Sequence, residues 1–175
     1  MPKHSAGIVV YRKKADSAEV LLVHPGGPFW AKKTGPGGWS IPKGEFEESE
    51  EPFEVAKREF QEEIGQQAPE GEFLELGEIT QKGGKKVSAW AVEKDLGEIT
   101  PVSNTFSIEW PPRSGNQQEF PEVDKAAWME LSKAVNWVHP GQDDLINRLA
   151  EKLGIKLSAD QSPDPGLSSQ QISLL

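Results

Sequence analysis

Apolar positions along the chain change period several times, and each change marks an element. Residues 6 to 11 (AGIVVY) and 20 to 23 (VLLV) are almost unbroken apolar runs separated by the charged stretch RKKADSAE. That is the pattern of two buried strands, paired as a hairpin or adjacent in one sheet. From Pro52 the period lengthens: Phe53, Ala56, Phe60 and Ile64 recur at steps of three and four, which predicts a helix with one apolar stripe, opened by Pro52 and ended by Gly65. Residues 72 to 79 and 86 to 93 return to strand patterning around the turn QKGGK. AAWMEL, at 126 to 131, fits a short strand or the start of a helix. Leu145, Ile146, Leu149 and Leu153 predict a final helix over 142 to 153, with Gly154 as its stop.

Between these elements lie stretches without a period. HPGGPFWAKKTGPGGW is rich enough in Gly and Pro to be a loop, yet it carries Phe29, Trp30, Lys32 and Lys33, and loops holding aromatics and cations often bind something. Residues 101 to 121, with their Pro pairs and amides, predict a long ordered connection, partly packed through Trp110. The end, SADQSPDPGLSSQQISLL, has the composition of a flexible tail. With no internal repeat, the expected organisation is one domain over 1 to 155 and a tail over 156 to 175.

Composition narrows the chemistry. A formal net charge of -9 over 175 residues repels free nucleic acid unless a cation reverses the local field. The absence of cysteine removes disulfides, thiolate zinc sites and a Cys nucleophile, so a metal here would be hard and held by oxygen. His4, His24 and His139 are far apart, and two of them precede Pro, which suits turns. No signal-peptide pattern or membrane-length apolar run is present, which makes a cytoplasmic protein the expectation.

The helix over 52 to 64 departs from a plain amphipathic pattern. At about 100 degrees per residue, Glu59, Glu62 and Glu63 share one edge beside the apolar stripe. Arg58 lies four residues before Glu62, and Glu50 stands at the entrance. Like charges at this spacing repel by roughly a few tenths of a kcal/mol per pair, and a divalent cation turns that repulsion into binding.

The spacing of these residues resembles a known motif. Gly44, five residues, Glu50, seven residues, then Arg58-Glu59-Phe60-Gln61-Glu62-Glu63-Ile64-Gly65 is similar to the Nudix box, G-x5-E-x7-R-E-U-x-E-E-x-G-U, with U a bulky aliphatic residue. Every charged and glycine position is present. Phe60 and Gln66 depart at U positions and bear only on local packing. The resemblance implies an α/β/α sandwich around a mixed β-sheet, with a loop-helix-loop that holds Mg2+ or Mn2+. It implies Glu62 and Glu63 as metal ligands, Glu59 as a ligand or as the base that activates water, and the Gly44 carbonyl as a further ligand. Arg58 and Glu50 would orient Glu59. Glu122, six residues before Trp128, resembles the late acidic residue that some Nudix enzymes add to the metal site, and Glu119 competes for that part.

The implied reaction is hydrolysis of a phosphoanhydride in a nucleoside diphosphate linked to another group. WSIPKGEFEESEEP resembles the W-x-x-P-K-G start of asymmetric diadenosine tetraphosphate hydrolases and of the related diphosphoinositol polyphosphate group. It therefore points to dinucleoside polyphosphates, cleaved to ATP and AMP, ahead of a nucleoside triphosphate, ADP-ribose, a capped RNA 5′ end or a diphosphoinositol. Lys43 beside the metal loop and Arg113 are candidates for phosphate contact, and Trp39 for stacking on a base or for the core. Phe29 and Trp30 are further stacking candidates, and Lys32 and Lys33 could add charge. The expected partner is a small nucleotide, with no membrane. A catalytically silent nucleotide sensor is the reading from another class, and the intact set Glu50, Glu59, Glu62 and Glu63 argues against it.

Overall fold

The computed structural model describes residues 3–157, so the expected tail lies outside the described residues apart from Lys156 and Leu157. In chain order the elements are β1 (His4–Lys14), β2 (Ser17–Pro25), β3 (Lys43–Glu45), α1 (Pro52–Ile64), β4 (Phe73–Thr80), β5 (Lys86–Glu93), β6 (Thr105–Glu109), β7 (Gln117–Pro121), β8 (Val123–Glu130), α2 (Leu131–Trp137) and α3 (Asp143–Leu153). The main sheet runs β4-β5-β1-β2-β8, with β3 also paired to β1, while β6 and β7 form a separate ribbon. β1 and β5 are parallel and the other pairs antiparallel, so the sheet is mixed.

Alternation along β1 divides the core between two faces. Ile8 and Val10 pack with Leu21, Val55, Phe60 and Ile64 under α1. Val9 and Tyr11 pack with Leu22, Leu131, Leu145 and Leu149 under α2 and α3. The molecule is therefore an α/β/α sandwich, as the resemblance implied. Among the described residues no helix is long and apolar enough to cross a membrane.

One edge of β1 is shared by two strands, and this places the loop before α1. Tyr11 to Lys14 pair with β2, whereas Ser5 to Gly7 pair with Glu45 to Lys43 of β3. The chain from Ser40 to Pro42 fills the resulting fork: Ser40 exchanges backbone bonds with Val23, and Ile8 donates to Pro42 at 3.2 Å. β3 then leads through Glu47 to Glu50 into α1. That helix is capped by the Glu51 carboxylate, which accepts the Glu54 N–H at 3.0 Å, and it ends in a left-handed Gly65.

Two expectations change. The connection over 101 to 121 contains the β6–β7 hairpin, because Phe106, Ile108 and Trp110 alternate with exposed Thr105, Ser107 and Glu109. Its flanking Pro and amide residues hid a period of two. AAWMEL is both of its alternatives in succession, since β8 ends at Glu130 and α2 begins at Leu131.

Candidate active site

The loop-helix-loop brings the predicted acids to one edge of α1. Glu63 is buried at 8 % exposure, and it accepts the backbone N–H of Lys43 at 3.1 Å. Gly44 lies directly under Glu59: a Cβ at Gly44 would collide with the Glu59 carboxylate. Only glycine lets β3 approach the helix so closely. Arg58 gathers the rest, with Glu50 at 2.9 Å, Glu59 at 3.6 Å and Glu62 at 3.8 Å. Glu50 is fixed in turn by the Glu47 N–H at 2.9 Å. Arg58 thus links Glu50 to two of the acids that the sequence grouped with them.

The electrostatics of this edge follow from burial and from acids crowded together. Burial, then Glu62 and Glu122, raise the Glu59 carboxyl to about 7 against the pull of Arg58. Burial likewise raises Glu63, opposed by the Lys43 N–H and ammonium, and burial with Glu62 raises Glu122. Burial and crowding thus both disfavour the charged forms of these acids, and a bound divalent cation would favour them instead. Among the described residues no three acid or histidine side chains already converge at ligating distance. Arg58 pairs with Glu59 and Glu62, while Glu63 and Glu122 lie within electrostatic reach of Glu59. The donor chemistry, hard carboxylate oxygens, fits Mg2+ or Mn2+.

The structure separates the two late acids. Glu119 accepts the Thr105 hydroxyl across the hairpin at 2.6 Å, whereas Glu122 lies near enough to Glu59 and Glu63 to raise both. The hairpin roots reach α1 through main chain: Val102 donates to the Ile64 carbonyl at 3.1 Å and Asn104 to the Glu62 carbonyl at 3.0 Å. These bonds satisfy carbonyls that the end of a helix leaves open.

Of the substrate candidates, Lys43 is half-buried beside the acids. Burial and then the nearby Lys85 lower its ammonium, so an arriving phosphate would meet a poorly solvated cation. Lys85, in the turn before β5, has no sequence signal beyond its charge. Trp39 belongs to the core at 6 % exposure, and its indole N–H is donated to the Thr34 carbonyl at 3.0 Å, so its ring is not available to a base. Arg113 stands at the hairpin tip, where no ion pair among the described residues joins it to the acidic edge. His24 and His139 brace the glycine-rich loop, since His24 Nε2 lies 2.9 Å from the Lys33 carbonyl and His139 Nδ1 2.9 Å from that of Gly37.

Known proteins share the fold. The NUDIX domain model matches residues 1–149. An 8-oxo-(d)GTP phosphatase of Mycolicibacterium smegmatis is 32% identical over 92 residues, which is 50% of this chain and only 28% of that protein. Among solved structures, a C. elegans Ap4A hydrolase binary complex aligns with a TM-score of 0.58 at 19% identity, covering 86% of this chain and 98% of that one. The NUDIX domain of Shewanella oneidensis NrtR, in complex with ADP ribose, aligns with a TM-score of 0.59 at 15% identity, covering 87% and 89%. At such identities the solved structures speak for the fold.

Proposed function

We infer the activity from family and site together: the chain belongs to the NUDIX domain family, and we propose that it is a divalent-metal-dependent pyrophosphohydrolase of nucleoside diphosphate-linked substrates. The observation that carries this is the edge of Glu59, Glu62, Glu63 and Glu122, organised by Arg58 and Glu50 over Gly44. Glu59, Glu62, Glu63, Glu122 and the Gly44 carbonyl would hold Mg2+ or Mn2+, which when bound shields phosphate charge and acidifies water. Arg58 keeps Glu59 and Glu62 from turning away. Glu59, paired with Arg58 and set over Gly44, is alternatively suited to take a proton from the attacking water. Lys43 would meet a phosphate oxygen beside the acids.

For the substrate we favour dinucleoside polyphosphates, with diadenosine tetraphosphate cleaved to ATP and AMP. The WSIPKG segment supports this, because it sets Lys43 beside the acids, where a long phosphate chain needs a cation. The M. smegmatis relative supports a second reading, an oxidised purine nucleoside triphosphate. A panel of diadenosine tetraphosphate, 8-oxo-dGTP and ADP-ribose, run with magnesium and with chelator and resolved by chromatography, decides between them. ATP plus AMP formed only with metal is the expected result. Turnover that survives chelator would sink the metal assignment, and binding without turnover would leave the sensor.

A further inference from the structure

The hairpin that the sequence pattern concealed carries an aromatic face, and main-chain bonds tie that face to the acidic edge. Asn104 donates to Glu62, Glu122 donates to Asn104 at 2.8 Å, and Gly26 donates to Glu122 at 2.9 Å. The last turn of α1, both roots of the hairpin and the start of the glycine-rich loop are thereby laced together. Three residues beyond Gly26, at most ~10 Å of chain, stands Phe29.

Phe29 is 67% exposed and meets Trp110 edge to face, with ring centroids 5.5 Å apart and planes at 78°. The joint behind it is tight. A Cβ on Gly27 would come within 2.7 Å of the Phe106 ring, and Phe106 in turn faces Phe120 across the hairpin. The neighbouring Trp30 is already engaged, with its ring 4.9 Å from that of His139 and the Lys33 ammonium over it at 5.5 Å. Phe29 is therefore an aromatic ring held in solvent by a rigid seat, one short segment away from the acids.

We propose that Phe29 and Trp110 seat the nucleobase of the substrate. This rests on the reading of the acidic edge as the place where the diphosphate is cleaved. The edge-to-face pair leaves ring surface open to a flat ligand, and stacking is indifferent to base identity unless other groups read the base edge. Phe29 stands within three residues of Gly26, whose N–H is bonded to the Glu122 carbonyl, so the ring and the acidic edge belong to one laced segment. A protein partner is the poorer occupant: Phe29 and Val102 are the large hydrophobic side chains exposed among the described residues, and a specific protein interface buries about 800 Å² on each side.

The test is calorimetric titration of ADP, GDP and inorganic pyrophosphate, with magnesium, into the full chain and into Phe29→Ala and Phe29→Trp. Phe29 is exposed, so neither variant threatens folding. We expect Phe29→Ala to weaken both nucleotides about 10-fold and to leave pyrophosphate unchanged, with Phe29→Trp restoring nucleotide binding. Equal nucleotide binding by the chain and Phe29→Ala, an equal loss of all three ligands, or no nucleotide binding by the unaltered chain would overturn the seat. Hydrolysis on the substrate panel is read separately. Base-dependent binding without turnover removes the hydrolase reading and keeps the seat, whereas turnover with no effect of Phe29 removes the seat alone.

Discussion

α1 and α3 cover opposite faces of the same sheet and both end in a left-handed glycine, yet they are built to different rules. α3 places Asp143 and Asp144 in its first turn and Lys152 in its last, as the helix dipole favours, and buries only Leu145, Ile146, Leu149 and Ala150. α1 has no basic residue in its last turn, gathers Glu59, Glu62 and Glu63 toward its C-terminal half, and buries Glu63. Carboxylates there oppose the dipole and one another. A helix that breaks electrostatic rules while keeping its apolar stripe is holding charge for something outside itself.

The sharpest way to test this contrast is to damage each helix by its own logic. Leu149 is fully buried, so Leu149→Ala should lose about 2–5 kcal/mol of stability in a denaturant titration, while the surviving folded fraction keeps its turnover. Glu62→Gln should do the reverse. Its turnover should fall by more than about 100-fold, beyond what outer partners of a metal ligand typically cost, with a melting temperature unchanged or higher. Full activity in Glu62→Gln would remove Glu62 from the metal site.

Arg58→Ala should lower turnover by about 10- to 100-fold, because Glu59 and Glu62 lose the cation that aims them. Recovery in Arg58→Lys should be incomplete, since one ammonium cannot reach three carboxylates as a guanidinium does. The smallest effect belongs to the α3 side of the sheet. Burial lowers His139, so between pH 6.5 and its folded value the unfolded chain binds the proton that the folded chain does not. Stability from this residue is complete above 6.5 and falls as pH falls through that window. Melting curves of His139→Asn should show a shallower loss on acidification than the unaltered chain, and parallel curves would deny His139 that part.

Much of this contrast could be read before any coordinates. The apolar steps of α1 and α3 are local periodicities, and the charged and glycine positions around α1 sit at fixed spacing, so both helices and the acidic cluster could be read from residue order alone. Trp39 could be read either way, because a large ring entering a strand packs or stacks with equal ease until its neighbours are known. The β6–β7 hairpin was hidden because Pro and Gln residues surround an alternation only five residues long on each strand. Lys85, the partition between Glu119 and Glu122, and the contact of Phe29 with Trp110 are tertiary facts. They arise where segments distant in sequence meet, and no window on the chain contains both partners.

The fork in β1 has a consequence for the order in which the chain is made. Gly44, Glu50 and the acids of α1 lie within one short stretch, and β1, β2 and β3 all precede or adjoin it. Once that stretch leaves the ribosome, Gly44, Glu50 and three of the acids are all present on the chain. β5, which completes the flank of β1, and Glu122, which enters only with β8, arrive long afterwards and close loops across much of the molecule. A nascent chain thus carries the residues of its acidic edge well before it carries the strands that shelter them.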